Sequence, residues 1–307
     1  MTPAATDLTI GDGLVGQGVA FSPEYYAMVT VSKEKDTALL LYNKKTKKQF
    51  VLGDFGKHDS GQVGHANDVS FLTPTMQNEK YLAVAHMKVG GIVPVIKIIG
   101  ETNARVVSQF KLVDSQGALL PIGVTSTEVI GNELWVSGAY SGVKSSWWHG
   151  SFNPKNLDTN QNIVLTRECL YQPERRDIDM LIGTYEPQNR GGQSDFIHEG
   201  YHYKVTTTKM ELNTISNDEM NGHEVRRSIG NPYGQLVVQM KKPDNPNQAP
   251  KITGRYWYQD AEWDGDRHLI SNEFEKVFIE DGMVKVNNIR RYANGANKTV
   301  ITTLGAL

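Results

Sequence analysis

The stretch GHANDVSFL, Gly64 to Leu72, gathers His65, Asn67 and Asp68 within four positions. An imidazole titrates near neutrality and an adjacent carboxylate can orient it, so His65 and Asp68 have the make-up of an acid–base pair. NGHEV repeats the same chemistry with Asn221, His223 and Glu224, and QDAEWDG adds Asp260 and Glu262. If these side chains converge, two uses are open to them. One is proton transfer by His65 with Asp68 or by His223 with Glu224. The other is a ring of carboxylates and amides that offers hard oxygens to Ca²⁺. The same residue types also bond backbone amides where a turn launches a strand, and that structural role stands beside each chemical one.

Aromatic residues supply a second kind of site. In SSWWHG, Trp147 and Trp148 point to opposite faces of an extended chain, so one packs inward and the other is expected to be exposed or interfacial. YWYQDAEWDG adds Trp257 and Trp263. Indole faces flanked by carboxylates and amides, Gln17 included, suit the C–H faces and hydroxyls of a sugar, although core packing also consumes aromatics. Complete catalytic signatures are missing: no H-E-x-x-H, C-x-x-C, G-x-S-x-G or Walker sequence occurs. GDGLVG at 11–16 has the letters of a dinucleotide fingerprint, but a strand-like run follows where a helix is required.

These residues need a scaffold, and the scaffold reads as all-β. Short alternating or β-branched runs recur between turn signals, among them YAMVTV, TALLLYN, KYLAVAHM, ARVVSQFKLV, ELWVSGAY and KVFIE. Only Pro154 to Leu165 offers a helical turn. A degenerate phrase, polar residues followed by a short apolar run and a stronger strand, starts at Gln17, His65, Pro121, Asp177, Glu219 and Gln259. Its copies lie about 40 to 56 residues apart, near the length of a four-stranded propeller blade. The reading is one β-propeller over residues 1–307. Six blades are favoured, with five allowed if HEG at 198–200 replaces the Asp177 copy. TDLTI and KTVITTL at the chain ends are expected to share a blade and close the ring, leaving no long unpaired edge. Phrases that open inner strands then meet at the mouth of the central channel.

Composition narrows the partners. The chain has 307 residues, 32 basic against 34 acidic side chains and a net charge of −2, so it presents no field for nucleic acid or anionic membrane. The longest apolar run is broken by Pro94 and Lys97 and does not suit a membrane span. One cysteine, Cys169, allows no intrachain disulfide, and no secretory leader is visible at the N-terminus.

The dipeptides Gln17-Gly18, Asn67-Asp68, Ile122-Gly123 and Asn221-Gly222 resemble the phrases that open inner strands in gluconolactonase/paraoxonase-like six-bladed calcium hydrolases. That resemblance implies Ca²⁺ on Asn67, Asp68, Asn221 and Glu224. Gln17 and Ile122 depart from the pattern where Glu and Asn would stand. The run from QG to GHAND also resembles uncharacterised propellers of Gram-positive bacteria and their phages. This resemblance implies a non-catalytic recognition module of a phage tail or bacterial surface. Its partners would be cell-surface glycan or other surface structural proteins, and its place a virion or extracellular surface. A calcium-dependent hydrolase or lyase at the channel mouth is the alternative.

Overall fold

The computed structural model describes residues 6–32, 36–58, 60–72, 79–170, 195–209, 233–259, 269–292 and 295–307. These residues form 21 strands in five sheets, and no helix occurs among them. Blade 1 is an antiparallel meander of β2 (Val15–Phe21), β3 (Tyr25–Val31), β4 (Thr37–Asn43) and β5 (Lys48–Leu52). Blade 2 comprises β6 (Val69–Phe71), β7 (Glu79–Val84), β8 (Ile92–Ile99) and β9 (Asn103–Val113). Blade 3 holds β10 (Gly123–Ile130), β11 (Glu133–Tyr140), β12 (Val143–Ser151) and β14 (Thr166–Leu170). Between β12 and β14 the chain leaves blade 3 and adds β13 (Gln161–Val164) in parallel to the outer edge of β9. Pro154 to Asn160 forms turns rather than a helix.

Blade 4 is β15 (Asp195–His198), β16 (Tyr201–Lys209), β17 (Tyr233–Lys241) and β18 (Lys251–Gln259). Blade 5 is β19 (Leu269–Glu280), β20 (Met283–Tyr292) and β21 (Asn297–Ala306), completed on its outside by β1 (Thr6–Asp12). The N-terminus therefore closes the ring as expected: Leu8 pairs with Ile301 and Asp12 with Lys298. Arg290 Nη1 holds Asp7 Oδ2 at 2.7 Å, and Ile10 is fully buried.

The favoured count of six blades is corrected to five. Inner strands open at Val15, Val69, Gly123, Asp195 and Leu269. β16 and β17 pair directly, Thr207 with Gln235 and Lys209 with Tyr233. The phrase at Glu219 lies outside the described residues. The phrase at Asp177 falls between β14 and β15 and lies outside the described residues.

Burial explains why these sequences make blades. Middle strands are covered on both faces by neighbouring blades, so β3 and β4 are buried almost throughout, while outer β5 is mostly exposed. The cores therefore sit between blades. Leu41, Val29, Val69 and Ile96 join blades 1 and 2; Val95, Phe110, Val136 and Trp148 join blades 2 and 3. Trp147, Cys169 and Ile197 join blades 3 and 4. Ile10, Met28, Phe196, Val237 and Phe278 link blades 4, 5 and 1. Each fully buried side chain of this size is worth about 1.5–3 kcal/mol of transfer free energy.

Candidate functional site

Five inner strands of one direction leave a channel with two distinct ends. At the end where they finish, a cavity of about 820 Å³ opens between blades. Its walls carry Phe21, Phe196, Glu128, Lys44, Lys276 and Glu280. Its floor is a buried ion triad. Lys276 is 1% exposed and its ammonium lies 3.0 Å from Asp68 Oδ1 and 3.7 Å from Glu128 Oε2. The ammonium also donates to the carbonyls of Val69 and Thr127, each at 3.2 Å, and to Ser70 Oγ at 3.3 Å. A cation taken out of water at this depth needs such a set of acceptors.

Local backbone features build the triad. The ladder between β19 and β20 slips between Phe274 and Lys276, the kind of irregularity that re-aims a side chain. Asp68 accepts backbone N–H bonds from Val69 at 2.7 Å and from Thr127 at 2.9 Å, tying the entry of β6 to β10. Gly18 lets β2 pass close by. Its φ is +54°, and a Cβ there would sit 2.5 Å from Asp68 Cα. Thr127 N–H serves Asp68 while the neighbouring Glu128 projects to the cavity, with Oε1 accepting Val129 N–H at 3.1 Å.

The carboxyl groups are shifted in opposite directions. Burial lifts Asp68 to about 7, more than Lys276 and the Thr127 amide lower it. Glu128 is likewise pushed above the usual carboxylate range by burial, with Lys276 only partly offsetting. Glu280 goes the other way. Burial opposes its ionisation, but bonds from Lys285, Lys44 and Tyr26 outweigh that and hold it below the usual range. Lys285 Nζ sits 2.7 Å from Glu280 Oε2, and Lys44 ion-pairs with Oε1. The same cavity thus has one carboxyl biased to its acid form and one biased to its anion.

The sequence-based candidates are divided by the structure. Asp68 lies in the channel floor, its oxygens occupied by Lys276 and amides. Gln17 and His65 line a different cavity, of about 520 Å³, at the end where the inner strands begin. Asn67 is buried beside it, its Nδ2 donating to Met87 Sδ. Asn221, His223, Glu224, Asp260, Glu262 and Trp263 lie outside the described residues. Among the described residues no group of three His, Cys, Asp or Glu side chains is placed to hold a metal ion.

Trp147 and Trp148 do alternate in direction, and of the two places open to the second indole, exposed or interfacial, the exposed one is excluded because both rings are buried. Trp147 is fully buried against Cys169 and Ile197, and Trp148 packs between blades 2 and 3 beneath Arg167. A middle strand of a blade has no solvent face to give. Trp257 donates from Nε1 to the Ala306 carbonyl at 3.0 Å and stacks near Tyr203, so it seams blades 4 and 5.

Lys276 is the residue that sequence reasoning missed. It stands in KVFIE, read as an ordinary strand, and a lysine in an alternating run reads as solvent-facing. Glu128 was legible only as one of many polar residues near a strand.

No protein-family model matches the chain, and no curated protein matches its sequence. Solved structures do align with it. A GH32 β-fructofuranosidase of Bombyx mori aligns over 96% of this chain and 63% of its own, with TM-score 0.48 and 7% identity. A GH43_1 enzyme of Xanthomonas citri aligns over 98% and 91%, with TM-score 0.48 and 9% identity. TolB of Acinetobacter baumannii aligns over 96% and 55%, with TM-score 0.37 and 10% identity. The chain spans less than two thirds of the length of the Bombyx mori enzyme and of TolB. The five-bladed, all-β propeller rests on the sheet order among the described residues and not on these alignments.

Proposed function

We propose that the cavity where the inner strands end binds a carbohydrate and cleaves a glycosidic bond, with Glu128 as general acid. The observation that carries this reading is the opposed charge bias of Glu128 and Glu280 on the walls of one cavity. Glycoside hydrolysis needs one carboxylic acid and one carboxylate beside the scissile bond. Protonated Glu128 would deliver its proton to the departing glycosidic oxygen. Anionic Glu280 would take a proton from the attacking water or steady the positive charge growing at the anomeric carbon. Phe21, partly buried over Phe196, offers an apolar ring to sugar C–H groups, and 820 Å³ accommodates a short oligosaccharide.

A second reading is recognition without turnover, as in a module that binds cell-surface glycan for a phage tail or bacterial surface. Its support is the crowding of Glu280, whose oxygens are already engaged by Lys44, Lys285 and the Tyr26 hydroxyl. Calorimetric titration with a panel of neutral and charged oligosaccharides, followed by assay of new reducing ends, separates the two. Hydrolysis means that a bound sugar gains reducing ends with time, and Phe21→Ala weakens its binding about tenfold, or about 1.4 kcal/mol. A sugar bound but never cut supports recognition alone, and no binding at all overturns both.

A further inference from the structure

The opposite end of the channel is not absorbed by that proposal. The 520 Å³ cavity there brings together side chains from three separate stretches: Gln17 on β2, His58 and His65 in the segment between β5 and β6, and Met87 after β7. The two imidazole rings are 4.3 Å apart, centre to centre, and tilted by 55°. Gln17 is 8% exposed, and its Oε1 has no hydrogen-bond partner among the described residues. The Asn67 carboxamide oxygen, also buried, is equally without one among them. A buried acceptor gains from any donor or electron-poor group that reaches it, and two such oxygens lie beside this cavity. Met87 is 40% exposed although its thioether lies against the Asn67 amide. The cavity wall therefore offers two imidazoles, a thioether and a carboxamide oxygen.

Hard cations are a poor match. Ca²⁺ and Mg²⁺ want several oxygen ligands, carboxylates foremost, and the described wall has none, whereas Lys88 adds an ammonium to it. Imidazole and thioether together suit a softer ion, which holds its ligands by covalency rather than charge alone. We propose that this cavity is a binding site for a late transition-metal ion, copper in preference to zinc, with His58 and His65 as its principal ligands and the Met87 thioether and Gln17 carboxamide oxygen completing the set. The ion would pin the loop before β6 to the end of β7, holding blades 1 and 2 together at this end of the channel.

Titration of the full-length protein with Cu²⁺, and separately with Zn²⁺, tests the site. One equivalent of Cu²⁺ is expected to bind, with electron paramagnetic resonance showing hyperfine coupling to two nitrogens in the unmutated protein. His58→Ala and His65→Ala are each expected to weaken binding at least about tenfold. His149→Ala, on blade 3 and away from this cavity, is expected to leave it unchanged. Met87→Leu, at a half-exposed position that folding tolerates, is expected to weaken Cu⁺ more than Cu²⁺. Absence of stoichiometric binding, a spectrum without two nitrogen ligands, or affinity retained in both histidine variants would overturn the proposal.

Discussion

Lys276 has one ammonium and two buried carboxyl claimants, and its removal exposes what each costs. Lys276→Met leaves Asp68 and Glu128 buried without a cation, a change expected to destabilise the fold by about 3–5 kcal/mol. The loss should be smaller at acid pH, where both carboxyls are neutral. Asp68 sets the sign in the unmutated protein too. Its acid strength is ordinary, 3.8, when unfolded and weak, about 7, when folded. The unfolded chain gives up this proton first, so the contribution to stability is full below about pH 4 and is lost as pH rises through 7. Urea unfolding at pH 5 and 7.5 should show this decline, and Asp68→Asn should flatten it. A steeper decline in Asp68→Asn would contradict the assignment.

At the scale of elements, Gly18 and the strand edges decide whether the blades fit. Gly18→Ala requires a left-handed backbone for alanine and drives a methyl into the Asp68 backbone. The expected loss is at least about 2 kcal/mol, from backbone strain plus overpacking. Gly131 shares the positive φ but has open space around it, so Gly131→Ala should cost only about 1 kcal/mol. Denaturation midpoints of the pair isolate the close approach. The strands themselves were legible, since TALLLYN coincides with β4 and the paired chain ends with β1 and β21. Blade number was less so, because the phrase that marks a blade is degenerate: Gln17-Gly18 lies within one inner strand and His65 to Asp68 precedes another, with no letters in common. The channel floor was hidden for a related reason. Burial on both faces erases the alternation that would mark Lys276 as inward, and pairing across 208 residues leaves no local trace.

Over the whole molecule, closure by β1 holds the ring and keeps the two channel ends apart. Deleting residues 1–12 would bare the edge of β21, strip Ile10 from the core and free Arg290 from Asp7. The truncated protein should melt well below the full chain and self-associate through that edge in light scattering. A circular permutant that joins the termini and opens within 243–250 should keep its melting point. With the ring closed, the cavity holding Glu128 is walled by all five blades and floored by the ion triad, the burial that pushes its carboxyl above the usual range. The most direct measurement is release of reducing ends from a polysaccharide panel by the unmutated protein and by Glu128→Gln. The account predicts that a hydrolysed glycan is found and that Glu128→Gln cuts its turnover by about 10²–10⁴ while leaving binding within a few fold. Turnover undiminished in Glu128→Gln, or no glycan cut at all, would contradict it.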